Sequence, residues 1–253
     1  MRLSAAIITL DEERNIGRCL ESLKGVADEV VVLDSGSKDG TERICREHGA
    51  TFVHQPWLGY GPQKNRAAEA CGGDLVLSLD ADEALSPELR AAILAVKAAP
   101  DADAWEMNRL NWMYDRFLRH GELYPDRKLR LWRRGQARWT DEIIHETARP
   151  VDGARVARLR GDLLHYTVYT VEQHLRTIEK FTTLQAQAML AAGRRGGWVK
   201  RWVSPAAHFV RTFVLKRGFL DGAAGLRVSR LSAWATRLKY TKLERLRRER
   251  QGG

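Results

Sequence analysis

Asp74–Glu83 reads DLVLSLDADE, an apolar run that closes on three carboxylates within four residues. A short apolar run of this kind fits a strand buried on both faces, the signature of a parallel sheet covered by helices. In open α/β sheets ligands sit beyond the carboxyl ends of strands, which is where Asp80, Asp82 and Glu83 fall. Acidic residues at the tip of a buried strand cost desolvation unless they bind something. Two carboxylates at i and i+2, Asp80 and Asp82, can hold a hard divalent ion together with phosphate oxygens of a ligand. A metal there stabilises charge on a departing diphosphate. The competing reading makes Asp80–Glu83 a cap for the helix that begins near Pro87.

Working outward, Leu3–Thr9 is another buried strand, and Ile16, Leu20 and Leu23 then recur at helical spacing behind Glu12 and Glu13. Asp28–Asp34 (DEVVVLD) is a second strand, followed by the turn SGSKDGT, a helix near Glu42–His48 and a short strand at Thr51–His54. A helix over Gln63–Cys71 precedes Asp74–Asp80, and another runs from Pro87 to Ala98. This alternation predicts an α/β, mostly parallel, doubly wound sheet. After Pro100 the pattern turns strand-rich and irregular, through Asp103–Asn108, Lys128–Arg133 and Leu163–Tyr166, so the second half of the sheet is expected to be mixed.

From Val171 onward the chain reads as helical. Leu175, Ile178, Phe181 and Leu184 form one apolar stripe, and Val199, Trp202, Val203, Ala206, Val210 and Phe213 form another. Pro205 is expected to kink its helix or begin a new one. The final KLERLRRERQGG reads as a frayed, solvated helix end. The expected division is a catalytic domain over 1–168 and a helical, basic extension over 169–253.

The chain has 253 residues and a formal charge of +10, and that charge is unevenly placed. Sixteen Lys/Arg and three Asp/Glu lie from Arg194 onward, which leaves the preceding body slightly acidic. Such a body does chemistry, and such a tail meets something anionic. Cys19, Cys45 and Cys71 are an odd number without C-x-x-C pairing, so reduced, cytosolic thiols are expected rather than disulfides or zinc. The opening MRLSAAIITLDEE lacks the length and cleavage site of a signal peptide. No uncharged apolar run approaches the roughly 20 residues that span a bilayer.

The stretches IITLDEERNI, VVVLDSGSKDGT, GPQKNRA and DLVLSLDADE, in this order, resemble family 2 glycosyltransferases of the GT-A type. RLWRRGQARWTDEIIHE and KRGFLDGAAG resemble the branch that adds glucose to the inner core of lipopolysaccharide. The resemblance covers residues 1–170 well and the tail more loosely. It implies an inverting hexosyltransferase with a GT-A nucleotide-sugar-binding domain, a divalent metal (Mg or Mn) and UDP-glucose as donor. The implied acceptor is a hydroxyl on a lipopolysaccharide core sugar, an inner-core heptose.

Carried over residue by residue, Thr9, Glu12, Asp34 and Ser35 line the nucleotide pocket, with Asp34 on the base or ribose. Lys64 approaches the uracil or the phosphates, Asp80 contacts ribose and metal-bound water, and Asp82 binds the metal. The family often has Asn where this chain has Asp11, which leaves that side chain without an implied role. Asp34 could instead serve its own turn with Ser35–Gly36, and Lys64 could be an ordinary solvated lysine. Asp39, ahead of Gly40–Thr41, reads as a helix cap.

Transfer to an alcohol also needs a base, because a hydroxyl is a poor nucleophile until its proton is being taken. The resembling branch has an acidic residue four positions before its His-Glu pair, which makes Asp141 the first candidate and Glu142 the second. His145 is a candidate third metal ligand or acceptor-positioning group, or a structural histidine. Glu146 could orient His145 or touch substrate.

WVKRWVSPAAHFVRTFVLKRG surrounds an apolar face with Lys200, Arg201, Arg211, Lys216 and Arg217, the pattern of a helix lying in an anionic membrane surface. Packing of that face against the protein is the alternative. The expected location is therefore cytoplasmic and peripheral to the inner membrane. A nucleic-acid arm would also suit the tail's charge, but it leaves the acidic strand ends unexplained, so no nucleic-acid partner is expected. A nucleotidyltransferase would need a basic, Gly-rich loop after the first strand, and TLDEERNI is acidic there.

Overall fold

A computed structural model of the chain describes residues 1–142 and 146–251. Its elements in chain order are β1 (Leu3–Thr9), α1 (Ile16–Leu23), β2 (Glu29–Asp34), α2 (Thr41–Glu47), β3 (Thr51–His54), α3 (Tyr60–Glu69), β4 (Leu75–Asp80), β5 (Glu83–Leu85) and α4 (Pro87–Ala98). There follow β6 (Ala104–Met113), β7 (Arg116–Phe117), β8 (Asp126–Arg133), β9 (Ala137–Trp139), β10 (Ala148–Pro150), β11 (Val156–Val168), α5 (Val171–Ala191), α6 (Trp198–Phe209) and α7 (Gly222–Gln251). The chain forms two compact units, Met1–Leu110 with Asp126–Tyr166, and Asn111–Pro125 with the segment from Thr167 onward. The helical unit thus begins at Thr167 and also takes in 111–125.

In the first unit, the sheet runs β3-β2-β1-β4-β8-β6-β11-β5 among the described residues. β1 pairs in parallel with both β2 and β4, so the strand order reverses there. Such a reversal opens a crevice at the carboxyl ends of the two flanking strands. Strand alternation sends Leu3, Ala5 and Ile7 of β1 and Leu75, Leu77 and Leu79 of β4 into one layer with α1 and α4. Ala6, Ile8, Leu33 and Val76 go to the opposite layer, against Ala67 of α3, Trp132 and Trp139. Each fully buried leucine stabilises by about 1.5–3 kcal/mol. α3 itself buries Gly61, Gln63, Lys64 and Asn65, the composition of a helix that serves a site rather than a core.

The second half of the sheet is mixed, as its irregular pattern predicts. β8 runs antiparallel to β4 in the register Leu77↔Leu131, and β11 antiparallel to β5 in the register His165↔Glu83. These pairings carry Arg130 and His165 to the tip of β4. The cap reading of Asp80–Glu83 fails, because Glu83 lies in β5 and α4 is capped by Ser86, whose Oγ accepts from Leu89 N–H at 3.2 Å.

The second unit is helical apart from β7 and the strand ends. Its buried line on α5 is Ile178, Thr182 and Ala186, whereas Leu175 and Phe181 of the expected stripe are exposed. Thr182 tolerates burial because its hydroxyl donates to Ile178 C=O at 2.7 Å and accepts from Lys242 Nζ at 3.0 Å. None of the residues of α6, all of them described, is buried, and Pro205 lies inside that helix. The tail is not frayed: α7 continues to Gln251, with Leu243 fully buried and Glu244 3.1 Å from Arg201. In KRGFLDGAAG, a Cβ on Gly225 would lie 2.0 Å from Gly218 O, so only glycine permits this turn. Asp221 accepts there from the N–H groups of Arg119 and His120 at 3.2 and 2.8 Å.

Candidate active site

Three acidic strand tips meet at the reversal. At the tip of β1, Thr9 is buried and its Oγ1 has no hydrogen-bond partner among the described residues. Asp11 sits at φ 52 and spends its carboxylate on Lys38 N–H at 2.7 Å, a turn role that matches its having no implied contact. Glu12 accepts from Asn15 Nδ2 at 2.8 Å. Burial, opposed by that hydrogen bond and reinforced by the charges of Asp82, Asp39 and Asp80, pushes Glu12 up to about 7.

At the tip of β2, Asp34 is fully buried and accepts from the N–H groups of Gly36 and Ser37, each at 2.9 Å, and from Ser37 Oγ at 2.5 Å. The carboxylate therefore builds its own turn, the alternative left open by the sequence, and His54 Nδ1 stands 3.3 Å away. Ser35 ties this tip to its neighbours: its N–H donates to Thr9 C=O at 3.0 Å, and its Oγ accepts from Gln63 Nε2 at 3.2 Å. Asp39 accepts from Thr41 N–H and Thr41 Oγ1 at 3.0 and 2.5 Å, capping α2 from just outside it.

At the tip of β4, both oxygens of Asp80 meet cations, Oδ1 with Lys64 Nζ at 2.9 Å and Oδ2 with Arg130 Nη2 at 3.0 Å. Burial works against the charge on Asp80, and these two cations overcome it, holding its pKa far below the usual carboxylate range. Arg130 is 2% exposed and also binds Glu83 Oε1 at 2.7 Å, while Glu83 accepts from Asp80 N–H at 3.0 Å. Lys64 is 4% exposed, so it is not an ordinary solvated lysine, and its second partner is Glu146 Oε1 at 3.1 Å. Asp82 lies apart from this cluster of charges, with His165 Nε2 3.2 Å from its Oδ2.

β9 and β10 pair antiparallel, with Thr140 N–H donating to Thr147 C=O at 3.0 Å, and the candidates Asp141 and Glu142 follow Thr140. The start of this hairpin is pegged beside Asp80: Asn65 exchanges two hydrogen bonds with the Trp139 backbone, at 2.9 and 3.0 Å, and Trp139 Nε1 donates to Ser78 Oγ at 3.1 Å. A Cβ on Gly61 would fall 1.9 Å from Thr140 O, so α3 and the hairpin can approach this closely only at glycine. GPQKNRA is therefore the peg between the strand tips and the hairpin. Asp141 and Glu142 are both exposed, and Glu142 is paired with Arg149 at 3.2 Å. His145 lies outside the described residues.

No group of three or more His, Cys, Asp or Glu side chains among the described residues forms a ready metal cage. The residues nevertheless fit a hard divalent ion of the kind held by one or two protein groups plus substrate phosphates and water. Asp82 and His165 supply such groups, 3.2 Å apart at the end of β4, with Glu12 and Asp80 adding carboxylates to the same cleft. Sequence reading missed Arg130 and His165 because their places depend on antiparallel register. The alternation in LRLWR and LLHY was the available signal, and it does not say which strand tip each residue reaches.

The profile described as glycosyl transferase family 2 matches residues 4–156. The lipopolysaccharide core biosynthesis glycosyltransferase LpsC of Rhizobium meliloti is 33% identical over 218 residues, covering 83% of this chain and 80% of that protein. An uncharacterized glycosyltransferase of Rickettsia typhi is 30% identical over 255 residues, covering 97% and 87%. A solved glucosyl-3-phosphoglycerate synthase from Mycobacterium tuberculosis, in complex with Mn2+, UDP and glucosyl-3-phosphoglycerate, is 25% identical with a TM-score of 0.37. The match covers 44% of each of those two chains.

Proposed function

The chain belongs to glycosyl transferase family 2, and from that premise we propose that it is an inverting, metal-dependent hexosyltransferase. It moves glucose from UDP-glucose onto a hydroxyl of a lipopolysaccharide core sugar. The observation that carries this reading is the buried Lys64 ammonium between Asp80 and Glu146 at the strand reversal. The likeness to a lipopolysaccharide core transferase supports the acceptor class.

In this reading Thr9, Glu12, Asp34 and Ser35 shape the nucleotide pocket, Asp34 through the turn that it holds. Thr9 Oγ1, buried and without a partner among the described residues, offers a hydrogen bond that a nucleotide can take up. Asp80, fixed by Lys64 and Arg130, would contact the ribose. Asp82 would hold the divalent ion directly, and His165 is the described histidine that could join it. A bound divalent ion supplies charge stabilisation to the leaving diphosphate. Lys64 adds a second positive charge on the same side of the bond that breaks. Asp141, which carries no ion pair among the described residues, takes the acceptor proton as the new bond forms. Glu142 is held by Arg149 and is the weaker candidate.

The helical unit is proposed to rest on an anionic membrane, placing the protein on the cytoplasmic face of the inner membrane. Trp198 is 70% and Leu215 73% exposed, among the cations of this segment. Each Lys or Arg near an anionic leaflet contributes about 1 kcal/mol, and the exposed tryptophan is suited to the interface. No helix among the described residues is long and apolar enough to cross a membrane.

The test is a panel of nucleotide sugars incubated with the protein, a divalent ion and a truncated lipopolysaccharide core, read as nucleoside diphosphate released and mass added to the acceptor. Release of UDP with a hexose added to the core is the expected result. Pyrophosphate exchange without sugar transfer would replace this reading with a nucleotidyltransferase.

A further inference from the structure

The helical unit contains a crevice to which the transferase reading gives no role. It has a volume of about 290 Å³ and is lined from α5, α6 and α7, with Glu122 contributing. That is near the lower bound of small-molecule pockets, roughly 300 Å³, so it suits a single sugar ring better than a nucleotide.

Its lining carries unspent polar capacity. Lys239 is half-buried and forms no ion pair among the described residues, and its ammonium stands 5.3 Å from the Tyr240 ring. Burial pulls its pKa down, so a bound anion would favour its charged form. His208 Nε2 is buried and lies 2.9 Å from Glu122 Oε2, yet it makes no hydrogen bond among the described residues.

Burial pulls the pKa of His174 down, and its Nδ1 lies 2.6 Å from Tyr114 Oη. The phenol, itself pushed up to about 12 by burial, is protonated and can donate to Nδ1. With Nδ1 accepting from the phenol, a neutral ring carries its proton on Nε2. Tyr114 keeps this position at φ 66 with the Arg227 guanidinium 5.0 Å from its ring, a strained backbone that tertiary contacts must hold. Phe181, 40% exposed, adds an apolar face to the same crevice.

We propose that this crevice binds one sugar ring of the acceptor glycan that carries an oxyanion, a carboxylate or a phosphate. Lys239 pairs with the anion, His174 and the His208–Glu122 pair take ring hydroxyls, and Phe181 meets the apolar face of the ring. This inference rests on the reading of the chain as a glycan-modifying transferase, because a sugar-specific subsite has a purpose only there.

The experiment titrates the full chain with a hexuronate, a hexose 6-phosphate, the neutral hexose and inorganic phosphate, following resonances of the helical unit by NMR. Both acidic sugars should bind at least about tenfold more tightly than the neutral hexose, the scale of one charge-assisted hydrogen bond. Lys239→Gln should erase that preference and Lys239→Arg should retain it, while hydrolysis of the donor without acceptor stays unchanged in both variants. Equal binding of acidic and neutral sugars, or an acidic preference that survives Lys239→Gln, would overturn the proposal. Inorganic phosphate binding as tightly as the hexose phosphate would overturn the sugar assignment. If the wild type hydrolyses no nucleotide sugar yet shows the Lys239-dependent preference, the transferase reading fails and the subsite stands.

Discussion

Lys64 holds its ammonium 2.9 Å from Asp80 Oδ1 while only 4% of its side chain meets solvent. With Glu146 3.1 Å away on the other side, one buried cation joins the tip of β4 to the β9–β10 hairpin. A cation in that position contributes to the site only if the donor's phosphates also feel it. Lys64→Gln should therefore raise the KM for the nucleotide sugar by about 10- to 100-fold, the worth of one hydrogen bond from a charged group. Steady-state kinetics with varied donor checks this, and an unchanged KM would confine Lys64 to a structural role.

Asn65 should behave differently. Asn65→Ala strips both hydrogen bonds from the buried Trp139 backbone, at about 1–3 kcal/mol for unsatisfied groups. In a protein of this size that lowers Tm by about 2–4 °C per kcal/mol. A thermal melt should show that loss, together with reduced turnover because the hairpin start is no longer pegged. Wild-type Tm would show that the peg is dispensable.

The base prediction separates neighbours. Asp141→Asn keeps the shape and removes the proton acceptor, so kcat should fall by about 10²–10⁴ with donor affinity nearly unchanged. Glu142→Gln only loosens an exposed pair with Arg149 and should leave kcat within a few-fold, since exposed pairs contribute about 0–1 kcal/mol. The reverse pattern would move the base to Glu142, and loss in neither variant would move it to Glu146.

Membrane association is tested without touching the described crevice. Replacing Trp198, Val199 and Leu215 by serine should sharply lower co-sedimentation with anionic vesicles while leaving transfer to a soluble acceptor unaltered. These residues are 70%, 60% and 73% exposed, so the substitutions remove no packing from the fold. Unchanged sedimentation would show that this face does not meet lipid.

Much of this organisation was legible in the sequence wherever local pattern fixes it. β1, β2 and β4 show themselves because both of their faces are buried, and α4 shows itself through Pro87 and its apolar spacing. The acidic tips at Glu12, Asp34 and Asp80 followed from the ends of those strands. What stayed hidden depends on partners distant in sequence. Arg130 and His165 reach the tip of β4 only through antiparallel register, and the three-residue strands β5, β9 and β10 are too short to show a period. On α5, the buried Thr182 displaced the expected Phe181 because Lys242, sixty positions later, satisfies its hydroxyl. The tail looked frayed because its charge density is high, yet Leu243 and Glu244 tie it down.

The account stands most directly on Asp82 as the metal ligand. The deciding measurement is UDP release from UDP-glucose by the wild type and by Asp82→Ala, each with Mn²⁺ or Mg²⁺ and again after chelation. The wild type should release UDP with metal, stop in EDTA and recover when metal is restored. Asp82→Ala should stay near background throughout, with a wild-type circular dichroism spectrum. Full turnover of the wild type in EDTA, or an Asp82→Ala variant as active as the wild type, would contradict it.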